Sequence, residues 1–400
     1  MSIYVLLGIL WAIWFQVFCW KMLPRLKYLA GQRPIGNDPP CTKPECDFSD
    51  FWRAGLTARM PAHGVLQLPQ MLMQPGVKMP LPGGYQEGFP YPPPIFLPAT
   101  AISHLPFELG FFVWTGAWLA LAVLLLRWTR LSWPVVVFGL LSPAALWNIE
   151  LGQLGVIGDA LLVAGLLGVV ERPLQAGSML GVLACKPQIG ILIPAILLGN
   201  RSWRGAAAFF LVCAALVLLT LLVFGWPIWR DYLAGGRRGG LAVLGAPFVP
   251  SLAEGGGVSV FWMLRSLHSG ESLASAGQVI GTVAAALLTF WIWRRPDLPR
   301  LDAVALTVFL SLLATPYGYV DDMVAYSIML LALAERRGWK IAILDVLFIM
   351  WPALCSIVSQ QTGVLLTPLI VLLAAARTWW RAGLPVPHLP VRAGVLPRAG

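Results

Sequence analysis

The residues in this chain that could do chemistry are few, and most are carboxylates at the ends of apolar runs. Asp47 and Asp50 stand in Asp47-Phe48-Ser49-Asp50-Phe51-Trp52-Arg53-Ala54-Gly55. Far downstream, Asp321 and Asp322 close the run Thr315-Pro316-Tyr317-Gly318-Tyr319-Val320-Asp321-Asp322. Between them lie Tyr91-Pro92-Pro93-Pro94, the polar group Asn148, Glu150 and Gln153, and a lysine before a proline, Lys186-Pro187. A carboxylate and a buried cation beneath one loop suit transfer of a group from a lipid-linked phosphate. The cation holds the phosphate, the carboxylate takes a proton from the acceptor hydroxyl, and the lipid tail stays in the bilayer. Other chemistries lack their residues: there is no Gly-x-Ser-x-Gly, no His-Glu-x-x-His and no dinucleotide fingerprint. The six cysteines and four histidines form no zinc-like double pair.

Composition says what must position these groups. The chain is 58% hydrophobic and 12% charged, with a mean hydropathy of +0.75, where a soluble domain carries about 25% charged residues. Its apolar residues come in continuous blocks near the ~20 residues that span a bilayer as a helix. The expected fold is therefore all-α, a polytopic membrane bundle forming one domain over residues 1–381. Its hydrophobic segments are 3–20, 109–126, 133–147, 152–170, 176–198, 205–224, 274–293, 300–314, 321–335, 340–358 and 363–380. The first reads as an uncleaved helix, since it lacks a basic start and a small-residue cleavage site.

Basic clusters at segment ends set the orientation and account for the net charge of +10 without nucleic acid. With the N-terminus inside, loops 21–108 and 225–273 face outside, which in a bacterial inner (plasma) membrane is the periplasm. Residues 382–400 form a flexible cytoplasmic tail. The polar groups above then converge on the outer face. Segment 176–198 breaks the alternation, because Arg172 precedes it and Arg201 and Arg204 follow it. It is either a re-entrant pair of half-helices with Lys186 near the tip, or one helix kinked at Pro187 with Lys186 snorkelling. Within 225–273, Val258-Ser259-Val260-Phe261-Trp262 reads as an amphipathic helix on the membrane. Cys41 and Cys46 flank Pro44 in an outer loop, and a disulfide between them is expected; the other cysteines lie in apolar runs as packing residues.

Taken in order, Asp47-Phe48 with Phe51-Trp52-x-Ala54-Gly55, Phe89-Pro90-Tyr91-Pro92-Pro93, Gly152-Gln153, Lys186-Pro187 and Ala314-Thr315-Pro316-Tyr317 before Asp321-Asp322 resemble the family 87 glycosyltransferases. These are polyprenol-phosphate-mannose-dependent membrane enzymes of the GT-C class. The resemblance implies inverting transfer of mannose from a polyprenyl phosphate to an acceptor hydroxyl on a lipid or glycan. It makes Asp47 the catalytic base, with Asp50 as runner-up. Lys186, Asp50, Tyr91, Gln153, Tyr317, Asp321 and Asp322 become candidates for binding substrate. Several have a structural alternative: Asp47 as a helix cap, Asp50 as a solvated loop carboxylate or helix cap, Tyr91 with its prolines shaping the loop's return, Asp321 and Asp322 capping the next helix. A single phosphate ester leaves without a general acid, so no metal and no cofactor is expected. A lipid-linked saccharide transporter or flippase is the rival, resting on the broken helix and on Asp159, Lys186 and Asp345 within apolar runs.

Overall fold

The computed structural model of the chain describes residues 3–29, 47–59, 91–236, 241, 243–250 and 256–383; Cys41, Cys46 and the tail from residue 384 lie outside them. Apolar surroundings leave a backbone no partner but itself, and among the described residues the chain forms helices and tight turns with no strand. In order these are α1 (Ile3–Leu29), α2 (Phe48–Ala58), α3 (Phe96–Ile102), α4 (Phe107–Trp128), α5 (Trp133–Leu140), α6 (Pro143–Leu151), α7 (Gly155–Gly168) and α8 (Pro173–Val182). There follow α9 (Ile193–Gly199), α10 (Trp203–Phe224), α11 (Trp226–Asp231), α12 (Val260–Ser266), α13 (Glu271–Trp293), α14 (Arg300–Ala314), α15 (Val324–Arg336), α16 (Ile343–Thr362) and α17 (Thr367–Arg381).

Five of these helices, α1, α4, α10, α13 and α16, are long and apolar enough to cross a bilayer. The pair α5 and α6 makes a sixth if counted as one span bent by 51°. Pro143 breaks the run, and Ser142 caps the new start by accepting from Ala145 N at 3.3 Å. Three of the remaining apolar segments are of another kind. Helices α7, α14 and α15 are shorter than a span and buried on nearly every face. Hydropathy alone cannot separate such core helices from lipid-facing ones, because both are apolar all round.

One boundary and the placement of one helix differ from expectation. Helix α1 runs through Pro24 to Leu29, so Lys21 and Arg25 lie on a helix rather than in the loop expected from residue 21. Both meet Glu150, Lys21 by an ion pair of 2.7 Å and Arg25 by a 3.1 Å bond to its carbonyl. The expected surface helix is α12, and it is packed into the protein instead. Phe261 and Trp262 are buried, Ser259 caps the helix, and Gln278 accepts from Phe261 N at 2.9 Å. A partner 17 residues further along the chain, on α13, outweighed a short amphipathic pattern.

Segment 176–198 turns back on itself. Helix α8 runs alongside α10 in the same direction, Gly177 against Gly205 and Gly181 against Phe209. Ser202 donates to Val169 O at 3.5 Å, bringing the two ends of the segment together. Lys186 lies at the break between α8 and α9, at the far end of the excursion. A Cβ on Gly177 would stand 2.1 Å from Gly205 O, so Gly177→Leu should force the helices apart. The expected loss is about 1–3 kcal/mol of stability, read as a lower unfolding midpoint in detergent. Gly116→Leu, where an added Cβ meets nothing within 4 Å, should not lower it; equal midpoints would contradict this packing.

Candidate functional site

Helix α2 is anchored by the motif that starts it. Phe48, Phe51 and Ala54 are fully buried. Phe48 packs on Phe107 and Phe111 at 5.2 and 5.6 Å, and Phe51 on Tyr91 and Trp114 at 4.9 and 5.2 Å. A Cβ on Gly55 would come within 2.0 Å of Ala99 O, so only glycine lets α2 lie on α3. Asp47 sits immediately ahead of this anchored helix, its carbonyl accepting from Asp50 N at 3.0 Å. Asp50 faces outward from the first turn, opposite the charge of Arg53.

The second wall is the turn between α6 and α7. Gly152 ends α6 with φ +69°, a left-handed conformation, and its carbonyl accepts from Trp114 Nε1 at 3.0 Å. Gln153 follows, its backbone N bonded to Asn148 O at 3.0 Å. Its side chain donates to Asp47 Oδ2 at 2.7 Å and accepts from Tyr91 Oη at 2.9 Å. Three distant segments therefore meet in one hydrogen-bonded line, Tyr91–Gln153–Asp47.

The third wall is ionic. Lys186, 3% exposed, donates to Asp322 Oδ1 in a close ion pair and lies 3.6 Å from Asp321 Oδ2. Asn148 Nδ2 donates to Asp321 O at 3.3 Å, and Gly155 allows that carbonyl to approach. Asp322 Oδ2 also accepts from Tyr319 N at 3.5 Å, so it caps the short turn Val320–Asp322 rather than α15. The α15 terminus is capped by Asp159, whose Oδ2 accepts from Ala325 N at 2.7 Å. A small pocket lined by Asp159, Gln188, Ser311, Thr315, Gly318 and Asp322 opens beside this cluster.

Burial pushes the Asp47 carboxyl above its ordinary range, the Gln153 bond and the Lys186 charge oppose that, and Asp322 adds to it. Burial and the neighbouring Asp322 carboxylate likewise raise Asp321. A buried carboxyl whose affinity for protons is raised is suited to accept one from a hydroxyl.

Of the candidates read from sequence, Asp47, Tyr91, Gln153, Lys186, Asp321 and Asp322 come together. Tyr317 is half-buried on the same loop, its N bonded to Thr315 Oγ1 at 3.2 Å, and Asp50 points away. Asn148 and Asp159 were legible as polar residues but not as the supports they are. The signal for Asp159 was an acid four residues after Gly155 in an otherwise apolar helix. Asp345 belongs elsewhere, among Arg337, Arg377 and Arg381 at 3.5, 3.2 and 3.0 Å, so it marks no path through the bundle.

Residues 89–316, more than half of the sequence, match the model of glycosyltransferase family 87. The chain belongs to glycosyltransferase family 87. This family 87 glycosyltransferase is a multi-pass helical membrane protein. Its matched region holds Tyr91, Gln153 and Lys186, while Asp47 precedes it and Asp321 and Asp322 follow it; geometry alone unites them. Comparison with curated proteins and with solved structures returns no match.

Proposed function

We propose that this glycosyltransferase moves a hexose, mannose by family resemblance, from a polyprenyl phosphate to an acceptor hydroxyl on a lipid or glycan. It works with inversion, on the periplasmic face of a bacterial inner membrane. The observation that carries the reading is a half-buried carboxylate, Asp47, held by Gln153 within the field of Lys186. The acceptor O–H gives its proton to Asp47 as its oxygen attacks C1. The C1–O bond to phosphate breaks, and its electron pair leaves with the polyprenyl phosphate. A phosphate of this kind departs without protonation, so the balance closes with one base.

Lys186 supplies the cation for the donor. A phosphodiester carries one negative charge and would share the ammonium with Asp322, releasing that carboxylate toward sugar hydroxyls. Asp321 and Tyr317 are further candidates for contacting substrate.

The test is a donor panel with the purified protein in lipid. Radiolabel should pass to an extracted glycan or lipid fraction from polyprenyl-phosphate mannose and not from a nucleotide sugar. Transfer from the nucleotide sugar alone would sink the proposed donor.

A further inference from the structure

We infer that Gln153 and Tyr91 are positioning residues for the base, holding the Asp47 carboxylate by Oδ2 and leaving Oδ1 for the acceptor hydroxyl. This rests on the reading of Asp47 as the base. The argument begins with the direction of the Gln153 amide. Its Oε1 receives two donors, Leu154 N at 3.2 Å and the Tyr91 hydroxyl at 2.9 Å. A backbone N–H can only donate, so the amide cannot turn over without setting donor against donor. Its NH₂ must therefore face Asp47, where it makes the 2.7 Å bond. The two lone pairs of Oε1 are taken, and the side chain has no acceptor left for a sugar.

The mount for this amide is equally fixed. A Cβ on Gly152 would lie 2.6 Å from Phe48 Cβ, so the turn is pressed against the start of α2. Two residues back, Glu150 is tied to Lys21 and Arg25 of α1. The Tyr91 ring is packed on Phe51. Both ends of the Tyr91–Gln153–Asp47 line are thus clamped to α2, which is what a device for orienting Asp47 requires.

The charged and titratable groups around Asp47 are Lys186, Asp321, Asp322 and Tyr91, with Asp50 and Arg53 on α2 and Glu108 on the adjoining α4. Gln153 is the hydrogen-bond donor to the carboxylate. A bond to the charged form favours it. Removing that bond therefore moves the proton affinity of Asp47 further up. The base is then protonated over more of the pH range, and the acidic limb of kcat/KM shifts to higher pH.

The experiment measures kcat, donor KM and the pH profile for the full-length enzyme in lipid. Gln153→Leu should lower kcat at neutral pH by about 10–100-fold, a large share of what a positioned base contributes, with donor KM nearly unchanged and the acidic limb moved up. Tyr91→Phe keeps the ring on Phe51 and removes one of two donors to Oε1. It should move the limb the same way by less, and it remains informative if Gln153→Leu fails to fold. In an Asp47→Asn background, Gln153→Leu should cost almost nothing more. A raised donor KM with an unmoved limb would overturn the inference, as would an equal further loss in the Asp47→Asn background; both leave Asp47 as the base. Full turnover in Asp47→Asn alone would overturn the reading of the base and this inference together.

Discussion

Asp47→Asn should reduce turnover by about 10²–10⁴-fold, the usual contribution of a positioned general base, while donor affinity stays near the wild-type value. The substitution keeps the shape of the side chain and removes only its ability to take a proton. Phe48 and Phe51 continue to anchor α2, so the site should assemble as before. Asp50→Asn is the matched control, since Asp50 is exposed on the first turn and faces Arg53. It should retain most of its turnover. The measurement is single-turnover transfer at saturating donor and acceptor, beside direct donor binding. If Asp50→Asn fell as far as Asp47→Asn, the assignment of the base to Asp47 would lose its support.

Lys186→Met should have two separable effects. The ammonium is buried between Asp322 and Asp321, and removing one partner of a buried ion pair costs about 3–5 kcal/mol because the other charge stays uncompensated. Lower stability in detergent is therefore expected, together with weak donor binding. Pairing Lys186→Met with Asp322→Asn removes one surplus charge and should recover much of the stability. Donor binding should stay weak in that double variant, because the phosphate has lost its cation. Recovery of both would show that Lys186 serves only as a counter-ion for the aspartate pair and never meets the phosphate.

The general architecture was readable because a membrane interior enforces helices, and long apolar blocks such as 205–224 announce them. The aromatic-x-Ala-Gly run was readable as a motif, and packing explains it: Phe51 supports Tyr91, and Gly55 admits the Ala99 carbonyl. Charge parity around 176–198 favoured a returning segment, and the contact of Ser202 with Val169 is its geometric counterpart. Other features depend on pairings far apart in sequence. Nothing near Asp159 tells that its carboxylate caps α15, and nothing near Lys186 tells that Asp322 is its partner. Both bonds cross more than a hundred residues, where local periodicity carries no information. The short buried helices misled for a related reason, since a helix wrapped by protein and a helix wrapped by lipid have the same apolar surface.

The most direct test of the account uses one membrane preparation in three forms: wild type, Asp47→Asn and a version without the protein. Each is given polyprenyl-phosphate mannose labelled in the sugar, with an extract containing acceptor lipids and glycans, and the label is followed out of the donor. The account predicts a labelled product with wild type, and background levels with both Asp47→Asn and the empty membranes. Equal product from wild type and Asp47→Asn would contradict it.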